Sequence, residues 1–178
     1  MDEVKVLDKV FDLYIPYEEI ERRLDIIKDK MQADLEGENP LFVVMLSGAF
    51  IFAAELMKRL NFAAEIAFVK VSSYVGTQST GELKEQLSLT KDVKGRTVVI
   101  IEDIVESGLT MKSMLEMLEK KEVKQVKIAA AFVKPQLMKY NIKIDYKLME
   151  IKDDFIVGFG LDYNQYGRNL RSVYKLKN

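Results

Sequence analysis

Apolar side chains recur at helical spacing through Ile20, Leu24, Ile27, Met31 and Leu35, with mostly charged residues between them. That period predicts an amphipathic helix. Pro16 suits its first turn, Glu18, Glu19 and Glu21 favour its positive end, and Gly37 is a fitting stop. The period then changes. Residues 41–46 form an unbroken apolar run, as in a strand buried on both faces. The run ends in Ser47-Gly48-Ala49, after which Phe52, Ala53, Leu56 and Leu60 return to helical spacing. Residues 62–71 predict a third strand, and residues 72–82 are polar, contain glycine and lack any period. A connection of that kind reads as a lid over a site, or more plainly as a loop without function. Leu83, Leu87 and Leu89 alternate with polar residues and suggest a short hairpin.

A second buried strand is expected at 97–101 after the Lys94-Gly95 turn, and it runs into an acidic tip at Glu102-Asp103. Glu106 and the small-residue stretch Ser107-Gly108-Leu109-Thr110 follow, and then Met111, Met114, Leu115 and Leu118 mark a helix. Residues 126–133 predict another strand that stops at Lys134-Pro135, since Pro135 keeps Lys134 out of a helix. Residues 155–163 read as strand-like and aromatic, and residues 1–15 alternate loosely, as a short strand or an arm. Strands and helices alternate from 41 to 133, so an α/β fold with a parallel sheet is expected. The whole chain, 1–178, reads as one domain. Its core covers about 16–139, and residues 1–15 and 140–178 form a small hood.

The loops after the strands are where chemistry is expected. In parallel sheets, ligands sit beyond the carboxyl ends of the strands. Backbone N–H groups of a small-residue loop at a helix start attract phosphate. Two carboxylates beside such a loop suit a sugar phosphate, or Mg²⁺ shared with one. A buried strand ending in a solvated acidic turn is the plainer alternative. The spacing is neither Gly-x4-Gly-Lys-[Ser/Thr] nor Gly-x-Gly-x-x-Gly.

Composition removes other chemistries. Cys 0 and His 0 exclude disulfides, thiol nucleophiles, Ser-His-Asp triads and the usual zinc sites. Proton transfer must fall to Asp, Glu, Lys or Tyr. Net charge is −1, which gives no basic footprint for nucleic acid. No apolar run approaches membrane-spanning length, and the N-terminus lacks a signal-peptide layout. No membrane partner and a cytoplasmic location are expected.

Four motifs occur in order: Leu46-Ser47-Gly48; Ser73-Tyr74 with Gln78-Ser79-Thr80-Gly81; 102–110; and Lys134 with Phe155-Ile156-Val157-Gly158, Leu161-Asp162-Tyr163 and Arg168. In this the chain resembles the hypoxanthine-guanine members of the type I phosphoribosyltransferase family, from about Pro40 onward. The resemblance implies a Rossmann-like parallel core with a hood. It implies transfer of phosphoribose from 5-phosphoribosyl-1-pyrophosphate to a 6-oxopurine, with Mg²⁺. It assigns Glu102 and Asp103 to the ribose hydroxyls and Mg²⁺, with Asp162 as a further metal ligand. It assigns Ser107, Gly108, Leu109 and Thr110 to the 5′-phosphate, and Ser47 and Gly48 to pyrophosphate across a peptide bond that can be cis. Ser73 and Tyr74 would close over the reaction centre. Lys134 would donate to the purine O6, Phe155 would stack on the base, the Ile156 backbone would read its edge, and Arg168 would hold pyrophosphate. Glu106 stands where the family usually has Asp, the group that manages the N7 proton, and Ser47 stands where many relatives carry Lys. Hypoxanthine and guanine are expected as substrates and adenine is not; a homodimer or homotetramer is implied. The alternatives are the same reaction with xanthine, or a non-enzymatic regulator on the same fold.

Overall fold

Helix α1 spans Tyr17–Leu35 and buries all five residues that its spacing singled out. It ends as expected, with the Glu36 N–H donating to the Gln32 carbonyl and Gly37 left-handed at φ 82°. The structure, a computed structural model, describes residues 2–72, 84–87 and 89–177. Ahead of α1, the loosely alternating segment is a hairpin of β1 (Glu3–Val6) and β2 (Lys9–Ile15). After it come β3 (Leu41–Met45), α2 (Phe50–Arg59), β4 (Glu65–Ser72) and β5 (Lys84–Leu87). Next are β6 (Thr97–Val105), α3 (Leu109–Glu119), β7 (Gln125–Val133) and β8 (Tyr146–Glu150). The chain closes with β9 (Ile156–Val157) and β10 (Val173–Leu176).

The main sheet has the order β5-β4-β3-β6-β7-β8. Its strands from β4 to β8 are parallel, and β5 is an antiparallel edge that pairs Lys70 with Leu87. The central strands are apolar on both faces because helices cover them; β3 is wholly buried, and so is β6 from Thr97 to Ile101. Leu24, Phe42, Phe52 and Phe132 are among the fully buried side chains of this core. Replacing Leu24 by Ala would cost about 2–5 kcal/mol through lost transfer energy and the cavity left behind.

The second sheet is antiparallel, in the order β1-β2-β10-β9. It has its own small core of Val6, Phe11, Val157 and Tyr174. This is the hood, but its boundary differs from the expected 139/140. β8 lies beyond residue 139 and extends the main sheet, pairing Ala129 with Tyr146 and Val133 with Glu150. Tyr146 is buried there and donates to Asp34 Oδ2 on α1 at 2.9 Å, which ties β8 to the core helix.

Two other expectations change. The acidic tip is no turn: β6 continues to Val105, so Glu102 and Asp103 lie within the strand. Pairing with β3 stops at Ile101, but β7 runs on beside β6 and pairs Glu102 with Ala130 and Ile104 with Phe132. Residues 155–163 also fail to form one strand. Only Ile156–Val157 forms a strand; Gly158 and Leu161 bridge each other across a turn, and Gly158, Phe159 and Gly160 have φ of 98°, 49° and 101°. The two glycines make that left-handed path accessible.

Candidate active site

The carboxyl ends of β3, β6 and β7 bring most of the singled-out residues to one edge of the sheet. Gly48 follows β3 and is buried, whereas Ser47 is exposed; the Leu46-Ser47 peptide bond is cis. A Cβ on Gly48 would lie 1.4 Å from Asp103 Oδ2, so only glycine lets the loop rest on that carboxylate. A Cβ on Gly160 would lie 2.1 Å from the Gly48 carbonyl oxygen. The hood turn therefore presses on the loop after β3, and both contacts forbid a side chain.

Arg168 joins the same group. Its Nη1 donates to the Gly160 carbonyl at 2.9 Å, and its Nη2 lies 2.6 Å from Asp162 Oδ1. Its charge also favours the ionised form of Asp103. Asp162 further accepts from the Gln165 N–H at 2.7 Å. Asp162 thus belongs with Arg168. Among the described residues no three acidic side chains converge as one metal cluster; Glu102 and Asp103 stand together, and Asp162 stands with Arg168.

Glu102 and Asp103 are adjacent and partly buried. Burial pushes Glu102 well above its ordinary value, and the charge of Asp103 pushes it further. Burial raises Asp103 too, against the Ile104 N–H, which donates to Asp103 Oδ1 at 2.8 Å, and against Arg168. Two hard oxygen donors that resist ionising together fit a divalent cation, since added positive charge relieves both burial and repulsion. A site with one or two carboxylates and the rest supplied by phosphate and water is the usual form for Mg²⁺.

Beyond β6 the chain forms a cavity of about 130 Å³ lined by Glu106, Ser107, Gly108, Leu109 and Thr110. Gly108 is left-handed at φ 80° and precedes α3, and no acid occupies the first turn of that helix. Backbone N–H groups at this end of α3 suit an anion; that of Leu109 donates to Ser107 Oγ at 3.3 Å. The segment after β7 closes one side: Lys139 N–H donates to the Ser107 carbonyl at 3.0 Å, and Ile142 approaches Gly108.

Lys134 follows β7 and is 5% exposed. A lysine at a strand tip is commonly solvated, but this one is buried. Its Nζ donates to Glu106 Oε1 at 2.7 Å and to Asp153 Oδ1 at 3.1 Å. Burial works to lower its pKa, but the two carboxylates outweigh burial and hold the ammonium above its ordinary value. Pro135 begins a short 3₁₀ turn, so the chain leaves Lys134 at once.

Phe155 is 48% exposed and its ring sits 6.0 Å from Tyr163, edge-on, and 6.2 Å from Phe11. Ile156 buries its side chain, and its backbone pairs with Lys175 of β10. Ser73 and Tyr74 lie outside the described residues. Two residues of the site were not singled out from sequence. Asp153 gave a faint sign, as part of Lys152-Asp153-Asp154 just before Phe155, but only the place of β8 beside β7 carries it to Lys134. Gly160 gave a better one: an isolated glycine in an extended pattern marks a close backbone approach.

The model of the phosphoribosyl transferase domain family matches residues 16–164. A hypoxanthine-guanine phosphoribosyltransferase of Streptococcus agalactiae is 43% identical over 149 residues, covering 83% of this chain and 83% of that protein. One of Streptococcus pneumoniae is 37% identical over 164 residues, covering 92% and 91%. The crystal structure of a hypoxanthine phosphoribosyltransferase from Staphylococcus aureus has a TM-score of 0.88 and 35% identity, covering 93% of this chain and 91% of that one.

Proposed function

We propose a purine-salvage reaction for this chain, which belongs to the phosphoribosyltransferase family. It transfers phosphoribose from 5-phosphoribosyl-1-pyrophosphate to hypoxanthine or guanine and releases pyrophosphate. The observation that carries this reading is the buried Lys134, fixed by Glu106 and Asp153 beside the acid pair Glu102 and Asp103.

The residues divide the work by chemistry. The N–H groups of Ser107, Gly108, Leu109 and Thr110 hold the 5′-phosphate at the start of α3. Glu102 and Asp103 accept from the ribose hydroxyls and would hold Mg²⁺, which supplies positive charge to the leaving pyrophosphate. Asp162 stays with Arg168 and orients it; Arg168 and the backbone N–H groups of Ser47 and Gly48 face the pyrophosphate. Phe155 stacks on the base, the Ile156 backbone reads its edge, and Ser73 and Tyr74 shield the reacting carbon from water.

The bond between ribose C1 and the pyrophosphate oxygen breaks, and pyrophosphate keeps the electron pair. Purine N9 bonds to C1, and the N7 proton passes to Glu106. Glu106 takes the place usual for Asp; its extra methylene lets it reach Lys134 Nζ at 2.7 Å. Lys134 donates to O6 of a 6-oxopurine. Adenine offers an amino group there and would set donor against donor, which a site of this kind rejects by about 10⁴-fold. A cytoplasmic homodimer or homotetramer completes the reading.

The test is direct. Purified protein with Mg²⁺ and the activated sugar is given hypoxanthine, guanine, xanthine and adenine in separate reactions, and nucleotide is followed by absorbance. Product from hypoxanthine or guanine and none from adenine is expected; nucleotide from neither oxopurine refutes the assignment.

A further inference from the structure

We propose that Asp153 is a positioning residue that keeps the Lys134 ammonium in place while Glu106 turns to take the proton of the purine. This deepens the reading above and rests on the roles given there to Lys134 and Glu106. Topology sets up the arrangement. Three adjacent parallel strands end level with one another: Val105 of β6 pairs with Val133 of β7, and Val133 pairs with Glu150 of β8. The residues just beyond those ends are Glu106, Lys134 and, after a short bend, Asp153. An ammonium is thus flanked by an acid from each neighbouring strand.

The three groups differ in depth. The Lys134 side chain is 7% exposed, whereas those of Glu106 and Asp153 are 51% and 59% exposed. The cation is buried and the acids stand at the rim, where each can exchange its partner for substrate or water. An ammonium carries three N–H donors. Two are taken by Glu106 and Asp153, which leaves one for the purine O6.

The second acid has a purpose that the first cannot serve. Glu106 must leave Lys134, at least in part, to accept a proton from the base. A buried ammonium stripped of its sole counter-charge is strongly disfavoured. With one partner, the approach of Glu106 to the purine would therefore be opposed by its own attraction to Lys134. Asp153 removes that opposition: Lys134 stays paired, and Glu106 is the carboxylate to spare. Both acids are within hydrogen-bond reach of the ammonium, Glu106 at 2.7 Å and Asp153 at 3.1 Å, so Asp153 can hold it when Glu106 turns away.

Steady-state kinetics of Asp153→Ala, Asp153→Asn and Asp153→Glu test this, with Lys134→Ala run in parallel on the full chain. Asp153 is exposed, so folding should survive, and melting temperature checks it. Asp153→Ala is expected to lower kcat/KM for hypoxanthine about tenfold, the worth of one hydrogen bond to a charged group. The KM for the activated sugar should stay within about twofold, because Asp153 serves only the base side. The ratio of hypoxanthine to adenine turnover should shrink, Asp153→Glu should regain most of the loss, and Asp153→Asn should fall between. Unchanged hypoxanthine kinetics in Asp153→Ala, or equal losses for both substrates, would overturn the proposal. If Lys134→Ala costs base turnover and Asp153→Ala does not, the proposal alone fails. If Lys134→Ala leaves base kinetics intact, the reading beneath it fails as well.

Discussion

Glu102 and Asp103 are neighbouring acids that burial pushes toward the neutral form, Glu102 further through the charge of Asp103, while three residues further along the same strand end Glu106 shares a buried lysine with Asp153. The first pair carries charge that the protein opposes only in part, through Arg168. The second group holds an ammonium between two acids and so keeps one negative charge in excess. The difference matches what each must meet. Partly opposed carboxylates call for a cation and for hydroxyl donors, as an activated sugar with Mg²⁺ provides. A single spare carboxylate beside a fixed ammonium suits a neutral base that presents an oxygen and gives up a proton.

Substitutions can break this contrast. The largest effect is expected from Asp103→Asn. It should lower kcat/KM about 10³-fold, as when a preorganised electrostatic contact is removed, yet raise the melting temperature in the absence of ligand, because one of two repelling charges is gone. Kinetics and thermal melting on one preparation check both, and a fall in melting temperature would contradict the account of the pair. Glu106→Gln keeps a group that can accept from Lys134 but cannot take a proton. Its kcat should drop about 10²-fold with base KM changed little, the usual weight of a general base. An unchanged rate would remove Glu106 from proton transfer.

Gly160→Ala probes the seam between hood and core. The new Cβ would meet the Gly48 carbonyl at 2.1 Å, and φ is 101°. The expected result is a loss of about 2 kcal/mol in denaturant unfolding and about tenfold in activity, since the loop after β3 must shift. The smallest effect is one of pH. Because Glu102 is raised from its ordinary 4.5, the fold is favoured fully below that value and loses stability as pH rises through the folded value. Wild type should therefore lose stability relative to Glu102→Gln as pH rises above that value. Parallel stability curves would contradict the raised value of Glu102. Lys134 adds nothing to this slope. Its raised value keeps its contribution constant up to its ordinary 10.5, and the contribution is lost only as pH climbs through the folded value.

The sheet was legible because buried parallel strands and covering helices leave strong periods. The five apolar positions of α1 and the runs at 41–46 and 126–133 fell where their spacing put them. The motif order places Gly48, Glu102, Asp103, Glu106 and Lys134 along one edge of the sheet. What escaped depends on contacts across the sheet. The extension of β6 to Val105 follows from β7 lying beside it, and no local pattern distinguishes an acidic strand from an acidic turn. The burial of Lys134 and its second partner Asp153 require β8 as a neighbour, and β8 was assigned to the hood by its place late in the chain. The turn at Gly158 to Gly160 interrupts an aromatic run whose residue types favour a strand; left-handed glycines, not side-chain preference, decide it.

The order β1-β2-β10-β9 also bears on how the enzyme is made. Synthesis delivers the first hairpin early, but β2 waits for Val173–Leu176 before its second edge is paired. Strand β9, next to Phe155, is held by β10 as well, with the Leu176 N–H donating to the Phe155 carbonyl at 2.9 Å. A chain halted before residue 173 therefore lacks the one strand that pairs with both β2 and β9, and so fastens the N-terminal hairpin and the Phe155 segment together.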